Sequence, residues 1–433
     1  MQEYDAHQLV EAPFYQLRKF YLEKLIKDIS NIAVVAIGLA PDSKRKSSFR
    51  ESYRQLTNTS KSSLYKTISD PRVGKTVNEV CHSLSKNKKK EVSLSQWDFL
   101  FKPFNNISLA TAFLDKIPFS INVVTNSYGY ISLPGTGKFI KTGYYNERDL
   151  TCTVSSDGYI LIGNSTAKIF DLPNIAQLEL VFDQDPFISS FQFGYESDKD
   201  TLLKDWMEAL TSANHLVSHH SPSSSLVHSF AKSIIPISEE QKGKHSSVSI
   251  DAVPGAIYLS YSSTPRIIAE ALVHESDHQW IHSLNQLDVS FWTQDVIMQK
   301  PIFRSPWRLD PRPLNGLLLG ASAFHRVGMW LNSLRVSDSV NFDYIFSPGS
   351  YALLCFEQTL DALNTIEKYG SLSRAGKTLV NLIKSNTKAG IRELEKCQEF
   401  KTWELHSQAT QNLHNKNWIT KNNGIDILSG QQL

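Results

Sequence analysis

Residues 265–287 read PRIIAEALVHESDHQWIHSLNQL, and their apolar positions recur at helical spacing. Pro265 suits the first turn of a helix, where a backbone amide hydrogen is not needed. Just before it, Pro254-Gly255 predicts a turn and the run Ala256–Ser260 predicts a strand. The sequence therefore indicates a strand followed by one long helix that ends near Leu287.

Outward from this helix, the chain predicts an α+β fold in three regions. Residues 1–118 are predicted to be mainly helical, because their apolar residues recur at helical spacing. Residues 119–230 are predicted to be a β-rich middle region, since short Val, Ile, Tyr and Thr runs alternate with turns. Residues 231–433 are predicted to be helix-rich around a zincin-like H-E-x-x-H helix. A cupin barrel is not predicted, because none of the 13 histidines begins an H-x-D or H-x-E triplet.

Several connections are predicted between these elements. Ser43–Ser69 is predicted to be a loop or short helices, Ser221–Ser225 a linker or loop, and Glu239–Ser247 a flexible connection, because Ser, Lys and Gly accumulate there. A second long helix is predicted from Leu314 to Leu334, after a proline-rich segment. The stretch from Tyr351 to His406 is again predicted to be helical.

Composition and charge exclude several classes of protein. The 433 residues are 41% hydrophobic and carry a formal charge of +2, which is too small to predict a nucleic-acid partner. The basic run Lys86–Lys90 is typical of a solvated loop. The sequence has no long apolar span, no secretory signal at Met1–Arg18 and no paired cysteine motif, so a cytoplasmic protein without a membrane partner is expected.

The motif His274-Glu275-Ser276-Asp277-His278 carries the candidate chemistry. Residues four apart lie on one face of a helix, so His274 and His278 can bind one cation with two imidazoles. In H-E-x-x-H enzymes the glutamate, here Glu275, acts as general base on metal-bound water. The flanking residues are apolar, and buried imidazoles without a partner would be costly. We therefore predict a metal site.

A third protein ligand is needed, and two residues compete for this role. His325 lies within the second predicted helix, on a face of small residues that allows close packing. Asp310 would give the two-histidine, one-carboxylate set typical of non-haem iron, but Asp310-Pro311 also has the form of a helix N-cap. His282 lies about 6 Å beyond His278 along the axis, too far to share a cation. We favour His325.

The segment Pro306–Pro313, PWRLDPRP, is the second feature that indicates a site. Its three prolines restrict the backbone, which favours fixed positions for Arg308 and Arg312. Guanidinium groups bind carboxylates in a bidentate manner. Without the neighbouring histidine motif, a structural turn with surface arginines would be the preferred interpretation.

These motifs together resemble a known family. The matching segments are Ala269–Glu275 with His278, Pro306–Pro313 and Gly316–Gly320, preceded by a similar strand at Val253–Ser260. They closely resemble the H-E-x-x-H family of peptide-modification proteins found with ribosomally made peptides. The resemblance covers about a quarter of the chain, residues 234–334, and departs from the family at the second helix, where histidines are replaced by Leu319, Ser322 and Phe324.

The resemblance implies an iron(II)- and 2-oxoglutarate-dependent peptide β-hydroxylase that uses O2 as co-substrate. It implies that His274, His278 and a third ligand hold iron, and that Arg308 or Arg312 binds the distal carboxylate of 2-oxoglutarate. Glu275 would then position a ligand or a water rather than act as a base. The implied partner is a ribosomally synthesised precursor peptide. Two alternatives remain: a zinc metallopeptidase that uses Glu275 as base, and a non-enzymatic peptide-binding scaffold.

Overall fold

The chain combines helices and sheets, as the predicted α+β class requires. The computed structural model describes residues 5–86, 92–126, 129–144, 149–181, 199–237, 245–293, 300–336 and 347–422. Within these residues, no sheet closes into a barrel. The contacts between residues divide the chain into two compact units. The sheet unit comprises Arg18–Met207 and Ala231–Tyr261, and the motif unit comprises Met1–Leu17, Glu208–Phe230 and Ser262–Leu433.

The helices of the sheet unit come first in the chain. They are most of α2 (Phe14–Leu39), then α3 (Ser43–Asn58), α4 (Lys61–Ile68), α5 (Pro71–Lys86), α6 (Leu94–Phe101) and α7 (Pro103–Asp115). Their buried apolar residues form one core. The stretch Ser43–Ser69 is almost wholly helical, because Asp42 and Ser60 cap α3 and α4 by accepting hydrogen bonds from backbone amides. Most of the basic run Lys86–Lys90 lies outside the described residues.

Twelve described strands form three sheets in this unit. They are β1 (Phe119–Val124), β2 (Tyr130–Leu133), β3 (Lys138–Lys141), β4 (Asp149–Val154), β5 (Ile160–Ile162), β6 (Ser165–Thr166), β7 (Ile169–Asp171), β8 (Asn174–Ile175), β9 (Leu178–Leu180), β10 (Ser233–Ile237), β11 (Ser247–Ser249) and β12 (Ala256–Ser260). The sheet orders are β1-β4-β5-β6, β2-β3-β7 and β11-β12-β10-β9-β8. The predicted strand Ala256–Ser260 is confirmed as β12, which is buried throughout and pairs in parallel with β10.

The β-rich stretch is shorter than the predicted region 119–230. Residues 199–230 instead form helices α8 (Lys199–Ser218) and α9 (Ser221–Phe230). In α8, Trp206, Leu210, Ala213 and Val217 are buried at helical spacing, which explains this correction. The prediction of a linker at Ser221–Ser225 is wrong for the same reason, since Leu226, Val227 and Phe230 bury one face of α9. Most of the predicted connection Glu239–Ser247 lies outside the described residues.

The motif unit is helical. Besides α9 and most of α8 it contains α1 (Ala6–Glu11), α10 (Pro265–Gln286), α11 (Leu314–Arg335), α12 (Pro348–Tyr369), α13 (Arg374–Leu394) and α14 (Phe400–Lys421). Helix α10 packs against α9 and α11, while α11 also packs against α12 and α13. The bounds of α10 and α11 match the predicted helices within one residue. Among the described residues, no helix is long and apolar enough to span a lipid bilayer.

Candidate functional site

Helix α10 presents the histidine motif from an almost wholly buried segment. Residues on several sides of it are buried, including Leu272, Val273, Trp280 and Ile281. Glu275 is buried as well, whereas His274 and His278 are half-buried. The two imidazole rings have centroids 4.6 Å apart and planes inclined by 80°. One turn of helix therefore brings the two imidazoles together, as the spacing predicted.

The separation of the two rings fits chelation of one cation. An imidazole nitrogen binds zinc or iron at about 2.1 Å, which puts the metal about 3.2 Å from the ring centroid. Two such rings have centroids about 4.5 Å apart at a right angle and about 5.2 Å apart at a tetrahedral angle. The observed 4.6 Å between His274 and His278 lies in this range. Two of the metal ligands predicted from the sequence are thus suitably spaced.

His278 has a buried nitrogen that is available to a ligand. Its Nδ1 atom is buried and has no hydrogen-bond partner among the described residues. Burial, together with the nearby His274 and His282, lowers the pKa of His278 well below its usual value. The ring is therefore neutral at pH 7, which is the form that binds metals.

An aromatic stack joins the histidine motif to the proline-rich segment. The ring of Phe324 on α11 meets His274 edge to face, with centroids 4.9 Å apart. Its other side stacks on Trp307 at 4.9 Å with an interplanar angle of 8°. Gly320 makes room for this stack, because a Cβ there would lie 2.7 Å from Cζ3 of Trp307. The structure thus brings together two sequence motifs that lie thirty residues apart.

The segment that carries Trp307 is a closed loop. Phe303 and Arg312 exchange backbone hydrogen bonds of 3.0 and 2.8 Å, which close the loop as an antiparallel bridge. Inside it, Ser305 Oγ accepts hydrogen bonds from the amides of Trp307 and Arg308. Side chains from α12 and α14, including the C-cap of α14, donate hydrogen bonds to backbone carbonyls of this loop. Gln358 donates to Pro306 O, His414 to Ser305 O and Asn422 to Leu309 O.

The two arginines of this loop are paired with the carboxylate between them. Asp310 lies 3.3 Å from Nε of Arg308 and 2.9 Å from Nε of Arg312. Burial opposes ionisation of Asp310, but the two arginines outweigh it and hold its pKa below the usual value. The alternative reading of Asp310 as a helix N-cap does not hold, because the bridge keeps the chain extended and α11 begins at Leu314, with Pro313 as its N-cap.

His325 lies on a different side of α11 from Phe324. Neighbouring residues of a helix point about 100° apart, and His325 is fully buried with Nδ1 hydrogen-bonded to Thr387 Oγ1 of α13 at 3.1 Å. Burial, then Arg326 and His220, lower the pKa of this imidazole well below its usual value. Phe324, not His325, is therefore the residue of α11 that contacts His274.

A buried ion pair fixes α10 against α11 and was not predicted from the sequence. Arg326 Nε donates to Asp277 Oδ1 at 3.2 Å, and the Asp277 side chain is wholly buried. Burial raises the pKa of Asp277, although Arg326 opposes this shift. The guanidinium group also lies over the rings of Phe14 and Trp280, at 5.1 and 5.3 Å. The second variable residue of the motif, Asp277, is thus a structural anchor.

A second unpredicted contact lies one turn before His274. Tyr351 of α12 donates a 2.6 Å hydrogen bond to Glu270, which also pairs with Arg266. Burial, then Cys355 and Glu270, raise the pKa of Tyr351 far above its usual value. Only a buried polar stripe at i, i+4 spacing, from Glu270 to His278, could have indicated this contact in the sequence.

The described residues provide two histidines but no complete metal site. Across them, no three His, Cys, Asp or Glu side chains form a group that could hold a metal ion. His274 and His278 are together, His325 faces α13, and Asp310 is paired with arginines. Comparison with known proteins found no matching family model and no matching curated protein.

Proposed function

We propose that the chain is an iron(II)- and 2-oxoglutarate-dependent oxygenase that hydroxylates Cβ of a residue in a ribosomally synthesised precursor peptide. The observation that carries this proposal is the stack of Trp307, Phe324 and His274. A zinc peptidase motif alone gives no role to the PWRLDPRP loop. Here the loop is held beside the histidine pair, as a cofactor-binding element must be.

The predicted site residues other than His325 then have roles that their positions support. His274 and His278 hold the metal through imidazoles at ligand-like spacing. Arg308 or Arg312 binds the distal carboxylate of 2-oxoglutarate after exchanging Asp310 for the cofactor. Glu275 is buried on α10 beside both histidines, which suits a residue that fixes the orientation of a ligand. With O2, iron and 2-oxoglutarate supply the oxidising power that C–H hydroxylation requires.

The fit of the residues to this iron site is incomplete. Two imidazoles are suitably spaced, but a facial triad needs a third protein ligand. The described residues do not provide one in the arrangement observed, since His325 is bonded to Thr387 and Asp310 to its two arginines. His325 and Asp310 stay the two predicted candidates for the third ligand.

A peptide oxidation assay tests the proposal. Anaerobically purified protein is incubated with iron(II), 2-oxoglutarate and the cognate precursor peptide, and O2 is then admitted. We expect the peptide to gain one oxygen atom for each succinate formed. Peptide cleavage in the presence of zinc would instead support a metallopeptidase. Metal binding without oxidation or cleavage would contradict both enzymes.

A specific observation favours a second, non-enzymatic candidate. From α11, Phe324 presents an apolar ring to His274, and the described residues do not complete a metal site. A peptide-binding protein with a disabled metal site would have this feature. It would bind the precursor peptide but would not couple peptide oxidation to succinate formation. The assay above therefore separates the two candidates when peptide binding is measured in parallel.

A further inference from the structure

Strands β1 and β2 follow each other in the chain but belong to different sheets. They meet where Asn126 N donates a 2.9 Å hydrogen bond to Tyr130 O and Tyr130 N donates to Asn126 Oδ1. In a regular antiparallel hairpin, Val124 and Ser132 would form the next hydrogen-bonded pair, two residues further along each strand. Among the described residues they do not pair, because β1 joins β4 and β2 joins β3. The two strands therefore separate just beyond Tyr130.

The outer edges of both strands direct backbone groups into this opening. Asn122 O accepts a 2.6 Å hydrogen bond from a side chain of α7, so the backbone groups of Asn122 point away from β4. Tyr130 O likewise faces Asn126 and points away from β3. Alternate residues of a strand direct their amide and carbonyl groups to the same side. The amides and carbonyls of Val124 and Ser132 therefore point away from the sheets to which their strands belong.

A cavity of about 600 Å³ lies at this opening. Val124 and Ser132 line it together with residues of α5, α6 and α7, all of which belong to the sheet unit. Its volume is in the range of about 300–1,000 Å³ that is usual for ligand sites. Pairing with an exposed strand edge is a common way for a protein to bind an extended peptide. The strand edges and the cavity thus offer an extended chain both backbone partners and space for its side chains.

The charges and the exposed ring of the cavity indicate which kind of chain it suits. The charged residues that line it all form ion pairs, which are Lys75 with Glu79, Lys102 with Asp98, and Arg72 with Asp70. Binding of single-stranded nucleic acid requires an excess of positive charge, which these pairs do not provide. Phe99 also lines the cavity and is 68% exposed. The lining therefore favours a peptide of mixed polarity with an apolar side chain that covers this ring.

We infer that an extended peptide segment binds in this cavity and pairs with the edge of β2 at Ser132. That this segment belongs to the precursor peptide rests on the proposed function. The peptide backbone donates a hydrogen bond to Ser132 O and accepts one from Ser132 N, while an apolar side chain of the peptide packs on Phe99. The backbone pairs provide affinity for many sequences, and the cavity selects among side chains.

Fluorescence anisotropy with labelled precursor peptide tests the inference on the full chain, without added metal or 2-oxoglutarate. We expect Ser132→Pro to weaken binding by about fivefold or more, because proline removes the amide hydrogen and places its ring where the peptide would pair. This amide does not join β2 to β3, so the sheet should remain. Ser132→Ala, the matched control, keeps the amide and should bind within about twofold of wild type. Equal binding by Ser132→Pro and wild type would overturn the inference.

A second substitution and a second readout do not depend on the fold of the proline variant. Phe99→Ser, at an exposed position of α6, should also weaken peptide binding severalfold. In wild type, saturating peptide should slow amide hydrogen exchange in β2, and unchanged exchange there would overturn the inference. If single-stranded RNA displaces the peptide and loses affinity in the same variants, the partner is a nucleic acid and the inference fails.

The same variants separate a failure of this inference from a failure of the proposed function. Peptide binding that depends on Ser132 and Phe99, without peptide oxidation when iron(II), 2-oxoglutarate and O2 are added, would support the inference and contradict the proposed enzyme. Oxidation of a peptide that binds every variant as tightly as wild type would support the enzyme and overturn the inference.

Discussion

His274 and Phe324 face each other from α10 and α11, with ring centroids 4.9 Å apart and planes inclined by 75°. This contact is the centre of the candidate site. His274 also contacts His278 of the H-E-x-x-H motif, and Phe324 also stacks on Trp307 of the closed loop that carries Arg308 and Arg312. The geometry of this contact places two motifs that are separate in the sequence next to each other.

The stack depends on the missing side chain at Gly320. We expect Gly320→Ala to lower the free energy of unfolding by about 1–3 kcal/mol, because its Cβ would lie 2.7 Å from the indole of Trp307. Gly316→Ala on the same helix is the matched control, since its Cβ would meet Pro313 at an ordinary 3.4 Å. That variant should be neutral or stabilising. Urea unfolding measures both, and equal midpoints for the two variants would show that the stack is not tightly packed.

The ion pairs of Asp310 lead to a prediction about 2-oxoglutarate. If Arg308 and Arg312 bind its carboxylate, then Asp310 competes for them, and Asp310→Asn should tighten 2-oxoglutarate binding several-fold. Arg308→Ala and Arg312→Ala should weaken it, singly or together. Calorimetry with the metal-loaded protein measures these affinities. If Asp310→Asn instead removes the metal, Asp310 is a ligand; if neither arginine variant weakens binding, the cofactor assignment is wrong.

The pair between Asp277 and Arg326 should be important for stability. We expect Arg326→Met to cost about 3–5 kcal/mol of unfolding free energy, because it leaves a wholly buried carboxylate without its partner. Asp277→Asn should cost less, since the guanidinium of Arg326 keeps its contacts with Phe14 and Trp280. Urea unfolding of the two variants and of their double mutant gives the coupling energy. A larger loss for Asp277→Asn would contradict this account.

Buried histidines should make the motif unit sensitive to acid. Burial, then Arg326, lower the pKa of His220 from 6.5 to about 4. The unfolded chain therefore binds more protons than the folded chain between these values, so stability is full above pH 6.5 and falls as the pH drops towards 4. His220 alone should contribute a loss of about 2 kcal/mol near pH 4.5. Unfolding of wild type and His220→Gln across this range measures it; equal pH profiles would contradict the assignment.

The elements that carry the site could be predicted from the sequence because their patterns are local. The spacing of His274 and His278, the proline at the start of α10 and the apolar run of β12 each depend on residues close in the chain. Helix α9 is not predicted because its Ser-Pro-Ser start is also typical of a loop, whereas this stretch begins a helix.

The contacts between helices could not be predicted in the same way. Whether Phe324 or His325 faces α10 depends on the rotation of α11, which is fixed by Arg326, Gly320 and their distant partners. A difference of one residue changes the direction of a helical side chain by about 100°. The spacing that predicts the proximity of His274 and His278 on one helix therefore gives no information about a residue on another helix.

If this site inserts oxygen into a peptide, as we propose, an oxygen atom of O2 must appear in the peptide product, and isotopically labelled O2 reports it. The metal-loaded protein, 2-oxoglutarate and precursor peptide are mixed with O2 containing heavy oxygen, and both products are analysed by mass spectrometry. We predict one labelled atom in the peptide and one in succinate for each turnover, and neither product with His274→Ala or His278→Ala. Unlabelled oxygen in a cleaved peptide, or an unmodified peptide with no succinate, would contradict the claim.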